Sequence, residues 1–377
     1  MTVRDDVFYM GQALALAAKG RYSTMPNPTV GCVIVRDHQV IGQGYTQPPG
    51  QAHAEIQALQ DCLARGQTTR NATTYVSLEP CCHYGRTGPC SQALIEAKIA
   101  RVVFAIRDPN PLVSGQGAAQ LRQAGIAITE GVLAEQAQAL NRGFFKRMQQ
   151  QRPWVRLKIA ASLDGKIALA NGQSQWLTGE AARADVQHWR ALSGAILTGI
   201  GTVLADDPQL TIRELNAQPW QLPRQPLRVI LDSQLRTPPN ARLLGLPGKT
   251  LIIAANASRE RQQRLQDAGA EVIILPNPQG QVDLAAVLET LAQREINDLW
   301  IEAGMQLNGS CLQSHVVDEV LLYQTPSILG NGGRDMVAMS IDTLAQRLHF
   351  HVIEQIKIGD DWRYRLKPQY LKETVEE

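Results

Sequence analysis

The sequence predicts an α/β protein in two domains, residues 1–150 and 151–377. Three observations carry this. The chain has 377 residues, enough for about two domains of roughly 100–200 residues each. Short β-branched segments alternate with segments of helical period, and the alternation runs twice along the chain, which implies sheets with helices on their faces. Between the two runs, a polar helical segment over 135–151 stops at Arg152-Pro153, and proline disfavours helix in the residue before it.

The elements follow in order. Val7, Met10, Leu14 and Ala17 recur at helical spacing, so an amphipathic helix comes first, and Asp5 and Asp6 stand where an export signal carries positive charge. Residues 30–35 and 40–45 read as strands joined by a turn at Asp37-His38. Then come a helix over 54–65, a strand over 74–78, a helix over 91–98, a strand over 101–106 and a helix over 116–124. In the second half, strands are expected over 155–163, 195–200, 227–232, 250–255, 272–275, 299–302 and 320–324, with more near 349–358. Helices are expected over 180–192, 258–268, 283–293 and 306–314. Residues 216–225, with Pro219 and Pro223, read as a loop.

Composition removes several classes. Apolar residues at 44% and charged residues at 19% exclude a mainly disordered chain, and 30 glycines without a triplet period exclude a collagen-like one. Basic and acidic residues number 37 and 35, so the net charge of +2 lacks the footprint of a general nucleic-acid binder. Arg142, Lys146 and Arg147 read as a solvated helix face. No apolar run approaches the ~20 residues that span a bilayer. With no export signal, the six cysteines (Cys32, Cys62, Cys81, Cys82, Cys90 and Cys311) imply a reducing, cytoplasmic setting, where clustered cysteines point to metal rather than disulfide.

The strongest chemical signal is His53-Ala54-Glu55, then Pro80-Cys81, then Cys90. One imidazole and two thiolates make three ligands and leave a fourth position for water, as catalytic zinc requires. Water on such a zinc drops from a pKa near 15.7 to about 7. Glu55, at the start of a helix, is free to move a proton from that water to a ring nitrogen and then to a departing amine. The order H-x-E, P-C, C is that of zinc-dependent nucleobase deaminases. Their usual two-residue spacing between cysteines is replaced here by eight residues, Cys82 to Pro89, and Cys82 is a rival ligand to Cys81. A polynucleotide deaminase shares this motif but needs a basic stripe. A passive zinc-stabilised binding module also shares it and needs no active Glu55.

Longer motifs decide among these. Pro26-Asn27-Pro28-Thr29-Val30-Gly31, His53-Ala54-Glu55, Glu79-Pro80-Cys81-Cys82-His83-Tyr84-Gly85-Arg86-Thr87-Gly88-Pro89-Cys90 and Asp108-Pro109-Asn110-Pro111 resemble the bifunctional riboflavin-biosynthesis deaminase–reductases, in which the long cysteine spacing is normal. The resemblance spans residues from about 7 to 147. It implies a cytidine-deaminase-like α/β/α sandwich with zinc on His53, Cys81 and Cys90 and with Glu55 as the catalytic proton shuttle. It also implies substrate contacts from Asn27, His83, Arg86, Asp108 and Asn110. The family often has histidine where this chain has Thr46.

The second half carries weaker motifs of its own. Gly199-Ile200-Gly201 lacks a third glycine, and Glu302-Ala303-Gly304 suits an ordinary strand-to-helix turn as well as a phosphate site. Here too the resemblance is to the same family, through Lys158-Ile159-Ala160-Ala161-Ser162-Leu163-Asp164-Gly165, Ser174-Gln175-Trp176-Leu177-Thr178, the run from Thr202 to Arg213, Asp232-Ser233 and Glu302-Ala303-Gly304. It implies a fold similar to dihydrofolate reductase and the cofactor NADPH. The cofactor would meet Ala160, Trp176, Thr202, Asp206, Ser233 and the turn Gly304, Met305, Gln306, Leu307, Asn308, Gly309 and Ser310. Ser174, Arg190, Leu210, Arg213 and Glu302 would face the substrate, with the two arginines offering donor forks to its phosphate. The implied reactions are hydrolytic deamination of a diaminopyrimidinone ribosylamino-phosphate, then hydride reduction of its ribosyl group to ribityl. A small-molecule substrate, no nucleic-acid or membrane partner, and a homo-oligomer (dimer or tetramer) are expected.

Overall fold

A computed structural model of the chain describes residues 2–83, 88–111, 113–213 and 224–370. The chain forms two compact units, which adjoin in sequence at Arg152 and Pro153.

In the first unit Thr2 and Asp5 form a capping box that starts α1 (Val3–Ala17). Strands β1 (Gly31–Arg36) and β2 (Gln39–Tyr45) make a hairpin whose turn residues Asp37 and His38 both take positive φ, the backbone twist that a two-residue hairpin turn requires. The remaining elements are α2 (Ala54–Ala64), β3 (Thr73–Val76), α3 (Cys90–Glu96), β4 (Arg101–Phe104), α4 (Gln116–Gln123), β5 (Ala127–Glu130), α5 (Ala134–Leu140) and α6 (Arg142–Gln150). The sheet order is β2-β1-β3-β4-β5, with β1 antiparallel to both neighbours and β3, β4 and β5 parallel. Alternation along β1 makes the layers. Cys32 and Ile34 pack with Ala58, Leu94, Leu121 and Phe144, while Val33 and Val35 pack with Tyr9, Met10, Ala13 and Ala137. The result is an α/β/α sandwich.

The helix expected over 135–151 is two helices. Asn141 breaks it by turning its side chain onto the backbone of Thr29, accepting from Thr29 N at 2.8 Å and donating to Thr29 O at 2.9 Å. Strand β5 was not expected. It lies at the sheet edge, and its burial does not alternate.

The second unit contains β6 (Trp154–Ala161), β7 (Lys166–Ala168), α7 (Glu180–Ala191), β8 (Ala195–Gly199), α8 (Ile200–Asp206), β9 (Leu227–Leu231), β10 (Thr250–Ala254), α9 (Arg259–Asp267), β11 (Ala270–Ile274), α10 (Leu284–Gln293), β12 (Asp298–Glu302), α11 (Met305–Gln313), β13 (Glu319–Gln324), β14 (Arg334–Asp335), β15 (His349–Ile358) and β16 (Asp361–Gln369). The main sheet runs β11-β10-β9-β8-β12-β6-β13-β16-β15. It is parallel from β11 to β13, and β16 is antiparallel to β13 and β15. Its strands are largely buried on both faces, as a helix-covered parallel sheet demands. Val155, Leu157, Ile159 and Ala161 of β6 pack on the α10 and α11 side, leaving Arg156, Lys158 and Ala160 for the α7 side. The loop expected over 216–225 lies mostly outside the described residues.

Chain order reverses between β8 and β12. After β8 the chain winds outward through β9, β10 and β11, and after β12 it continues to β13 on the other side. The carboxyl ends of strands at such a reversal are where open α/β sheets receive ligands.

Candidate active sites on the two units

In the first unit three chain segments end at one point. His53 is the extended residue before α2, Cys81 follows the end of β3, and Cys90 opens α3. His53 Nδ1 lies 3.6 Å from Cys81 Sγ and 3.4 Å from Cys90 Sγ. A tetrahedral zinc with bonds of about 2.05 Å to nitrogen and about 2.3 Å to sulfur separates those donors by about 3.6 Å. The donor set and its spacing therefore fit the ion. Cys82 does not join them, and its thiol points toward Gln116 Oε1 at 3.9 Å. The Cys90 thiol, its backbone N–H and His53 face the Cys81 sulfur and hold that thiol well below the usual range.

Glu55 sits in the first turn of α2 and is only 4% exposed. Burial, and then the charge of Cys81, push its carboxyl up to about 7. A carboxylate near neutrality can both take and give a proton.

The other expected contacts gather less tightly. His83 follows the cysteines, and its buried Nδ1 has no hydrogen-bond partner among the described residues. Asp108 and Asn110 lie in the loop after β4, where Asn110 N donates to Asp108 Oδ1 at 2.8 Å. Burial pushes the Asp108 carboxyl up to about 6, and Glu79 and Cys81 add to the effect. Asn27 lies in the loop that leads into β1. Arg86 is outside the described residues. Thr46 is buried, with its hydroxyl accepting from Val30 N at 3.3 Å.

In the second unit the expected residues collect at the carboxyl ends of the parallel strands. Ala160 is the penultimate residue of β6, Ser233 follows β9, and Thr202 and Asp206 ride on α8 after β8. Gly304 is the cap of α11 with no side chain to satisfy the first N–H groups, and space around it is open. A Cβ on Gly199 would stand 3.3 Å from Leu307, so the turns after β8 and β12 are neighbours at the reversal. An uncapped helix start beside open space suits the phosphates of a dinucleotide. Trp176 is exposed, with the Arg183 guanidinium 4.8 Å above its ring, and Ser174 lies in the same loop.

Several residues differ from expectation. Asn308 is fully buried, donating to Met336 O at 2.8 Å, and a Cβ on Gly309 would strike Ala338 O at 2.0 Å. These two belong to the packing under α11 rather than to an open face. Leu210 packs with Trp189 and Trp300, which leaves only its main chain for a ligand. The Arg190 fork is already closed on Glu302, from Nε at 2.6 Å and Nη2 at 2.9 Å, while Nη1 donates to Thr211 O at 2.9 Å. Arg190 thus holds Glu302 and has no open fork for phosphate. Arg213 is exposed, and its backbone N–H donates to Gln187.

Lys158 stands in a family motif that gives it no role of its own. It stands opposite Glu302 in the β6–β12 register, and burial lowers the pKa of its amine despite the opposing pull of Glu302. Its signal was a lone lysine within a strand otherwise apolar after Arg156. Trp300 donates to Glu302 Oε1 at 2.7 Å and stacks on Trp189 at 6.1 Å.

These features define the class: a metal-dependent deaminase unit joined to a doubly wound unit that binds a dinucleotide cofactor. Residues 3–106 match the cytidine and deoxycytidylate deaminase zinc-binding region, and residues 153–362 match the RibD C-terminal domain. Riboflavin biosynthesis protein RibD of Escherichia coli K12 is 44% identical over 365 residues, covering 95% of this chain and 98% of its own. The Haemophilus influenzae protein of the same name is 42% identical over 375 residues, covering 97% and 98%. The solved structure of Acinetobacter baumannii RibD aligns with a TM-score of 0.91 at 44% identity, covering 98% of this chain and 100% of that one. A Thermotoga maritima structure, described as a diaminohydroxyphosphoribosylaminopyrimidine deaminase/5-amino-6-(5-phosphoribosylamino)uracil reductase, aligns at 0.86 with 31% identity, covering 98% and 100%.

The chain belongs to the RibD family, the bifunctional deaminase–reductases of riboflavin biosynthesis. It is an enzyme with hydrolase and oxidoreductase activities, served by zinc and NADPH. The family, fold class and paired activities expected from the motifs are borne out.

Proposed function

We propose that residues 1–150 hydrolytically deaminate 2,5-diamino-6-(5-phosphoribosylamino)pyrimidin-4(3H)-one. Residues 151–377 then reduce the ribosyl side chain of 5-amino-6-(5-phosphoribosylamino)uracil to ribityl. The observation that carries this reading is the convergence of His53, Cys81 and Cys90, with the two sulfurs 3.6 and 3.4 Å from His53 Nδ1 and Glu55 buried beside them.

His53 Nδ1 and the sulfurs of Cys81 and Cys90 hold the zinc, which when bound makes water a nucleophile near neutral pH. Glu55 would take one proton from the attacking water and give it to the pyrimidine ring nitrogen, then take the remaining hydroxyl proton and give it to the amine, so that ammonia leaves and a carbonyl oxygen stands in its place. Asn27, His83, Arg86, Asp108 and Asn110 hold the pyrimidine. In the second unit Ala160, Trp176, Thr202, Asp206, Ser233 and the start of α11 would hold NADPH, which would supply the hydride. Glu302, fixed by Arg190 and Trp300, faces the sugar with Ser174, Leu210 and Arg213. Lys158 Nζ gives the proton that the sugar ring oxygen takes up as the ring opens and C1 becomes electrophilic.

The partner in this reading is a small pyrimidine rather than nucleic acid or membrane. A net charge of +2 supports it, and among the described residues no helix is long and apolar enough to cross a membrane. The working form is a cytoplasmic homo-oligomer, a dimer or tetramer. The edge strand β15, with Val352, Ile353 and Ile356 exposed, supports association.

The test is ammonia release by Glu55→Gln. The variant should keep zinc and NADPH-dependent reduction and lose deamination by at least about 100-fold, the scale of general acid–base catalysis. Full deamination in a zinc-loaded Glu55→Gln would overturn the assignment.

A further inference from the structure

We propose that Glu79 is a positioning residue for the deamination, one carboxylate that ties the substrate-facing 108–110 segment and the start of α4 to the chain entering Cys81. The inference rests on the reading that Asp108 and Asn110 meet the pyrimidine.

Glu79 stands two residues before Cys81 and is 2% exposed. Its carboxylate accepts three backbone N–H groups. Oε2 takes those of Gly115 at 2.9 Å and Asp108 at 3.3 Å, and Oε1 takes that of Ala118 at 3.1 Å. Its own N–H donates to Ile106 O at 2.9 Å. Asp108, Gly115 and Ala118 are therefore gathered on one side chain.

Helix α4 shows why that side chain is needed. A helix leaves its first N–H groups without intrahelical partners, and a Ser, Thr, Asp or Asn cap commonly satisfies one of them. The cap here is Gly115, at φ +76, with no side chain to offer. Glu79 takes over the role from the segment that follows β3, and its negative charge suits the positive end of the helix.

A second contact fixes the same junction independently. A Cβ on Gly117 would stand 1.9 Å from Pro80 O. The first turn of α4 thus lies directly on the peptide that joins Glu79 to the metal ligand. A local cap at residue 115 would stabilise the helix equally well but would not link it to Cys81. Borrowing the cap from Glu79 gives the zinc ligand and the substrate segment a single shared anchor, two residues of main chain away from Cys81.

The intact, zinc-loaded chain supplies its own control, because reduction takes place on the other unit. Glu79→Ala and, separately, Gly117→Ala should each raise the KM for deamination at least about tenfold, since small misplacements of a binding group are costly. Zinc content and NADPH-dependent reduction should stay unchanged. Glu79→Gln, which turns an amide N–H2 toward N–H donors, should recover little of the loss. Asn110→Ala tests the underlying reading. A normal KM in Glu79→Ala with a raised KM in Asn110→Ala overturns the clamp alone. A normal KM in both overturns the reading of the segment on which the clamp rests. Loss of zinc in Glu79→Ala would make the residue part of the metal site's folding and would also overturn the proposal.

Discussion

Arg190→Met keeps the length of the side chain in α7 and removes the charge that holds Glu302. Burial pushes the Glu302 carboxyl up, but Arg190 and then Lys158 outweigh it and bring the group down to about 2 from an ordinary 4.5. That difference, 4.5 − 2 or about 2.5 units at about 1.36 kcal/mol each, corresponds to about 3 kcal/mol. Because the native value lies below the unfolded one, the unfolded chain takes up the proton first as pH falls. The stabilisation is complete above about pH 4.5, falls to about 2 kcal/mol by pH 3.5, and vanishes below about pH 2. Thr211 O also loses its donor. Urea unfolding of the intact chain, followed by tryptophan fluorescence, should show Arg190→Met destabilised by about 3–4 kcal/mol at pH 7, with a smaller deficit at pH 3.5. Reduction should be lost and deamination kept. A cost below about 1 kcal/mol at pH 7, or one unchanged at pH 3.5, would refute the assignment of this pair as a buried ion pair.

Other expectations are as direct. Cys81→Ser should lose zinc by metal analysis while Cys82→Ser keeps it; the opposite result would move the ligand role to Cys82. Arg228 is 1% exposed and donates to Thr250 Oγ1 and to the carbonyls of Leu246, Pro247 and Gly248 at 2.8–3.0 Å. Arg228→Met strands those acceptors and should cost about 2–3 kcal/mol in urea unfolding, whereas a neutral result would mean that water replaces the guanidinium. NADPH at about 100 times its Kd should stabilise the chain by about 2.7 kcal/mol and raise its Tm, and no rise at millimolar NADPH would count against a cofactor site on the second unit.

Local chemistry is legible in the sequence, and long-range pairing is not. His53, Cys81 and Cys90 could be singled out because each sits at an element boundary that hydrophobic periodicity reveals. Choosing Cys81 over Cys82 needed either the family resemblance or the path of the chain after Pro80, since spacing alone fits both. The run 135–151 has a helical pattern throughout, and its break at Asn141 depends on Thr29, which lies far away in sequence. Arg190 was recognisable as a cation near the reductase site. That its fork closes on Glu302 follows from α7 lying over β12, a tertiary fact. Lys158 could be given a sheet face from alternation, but its partner comes only from the β6–β12 register.

The Asn141 clamp bears on the order in which the first unit assembles. Both main-chain groups of Thr29 find their partner on a side chain 112 residues further along. A nascent chain halted before residue 141 therefore emerges from the ribosome without the partner of those two groups at the entry to β1, and the loop bearing Asn27 lacks that anchor. Completion of the pyrimidine pocket is thus expected to wait for almost the whole unit to be translated.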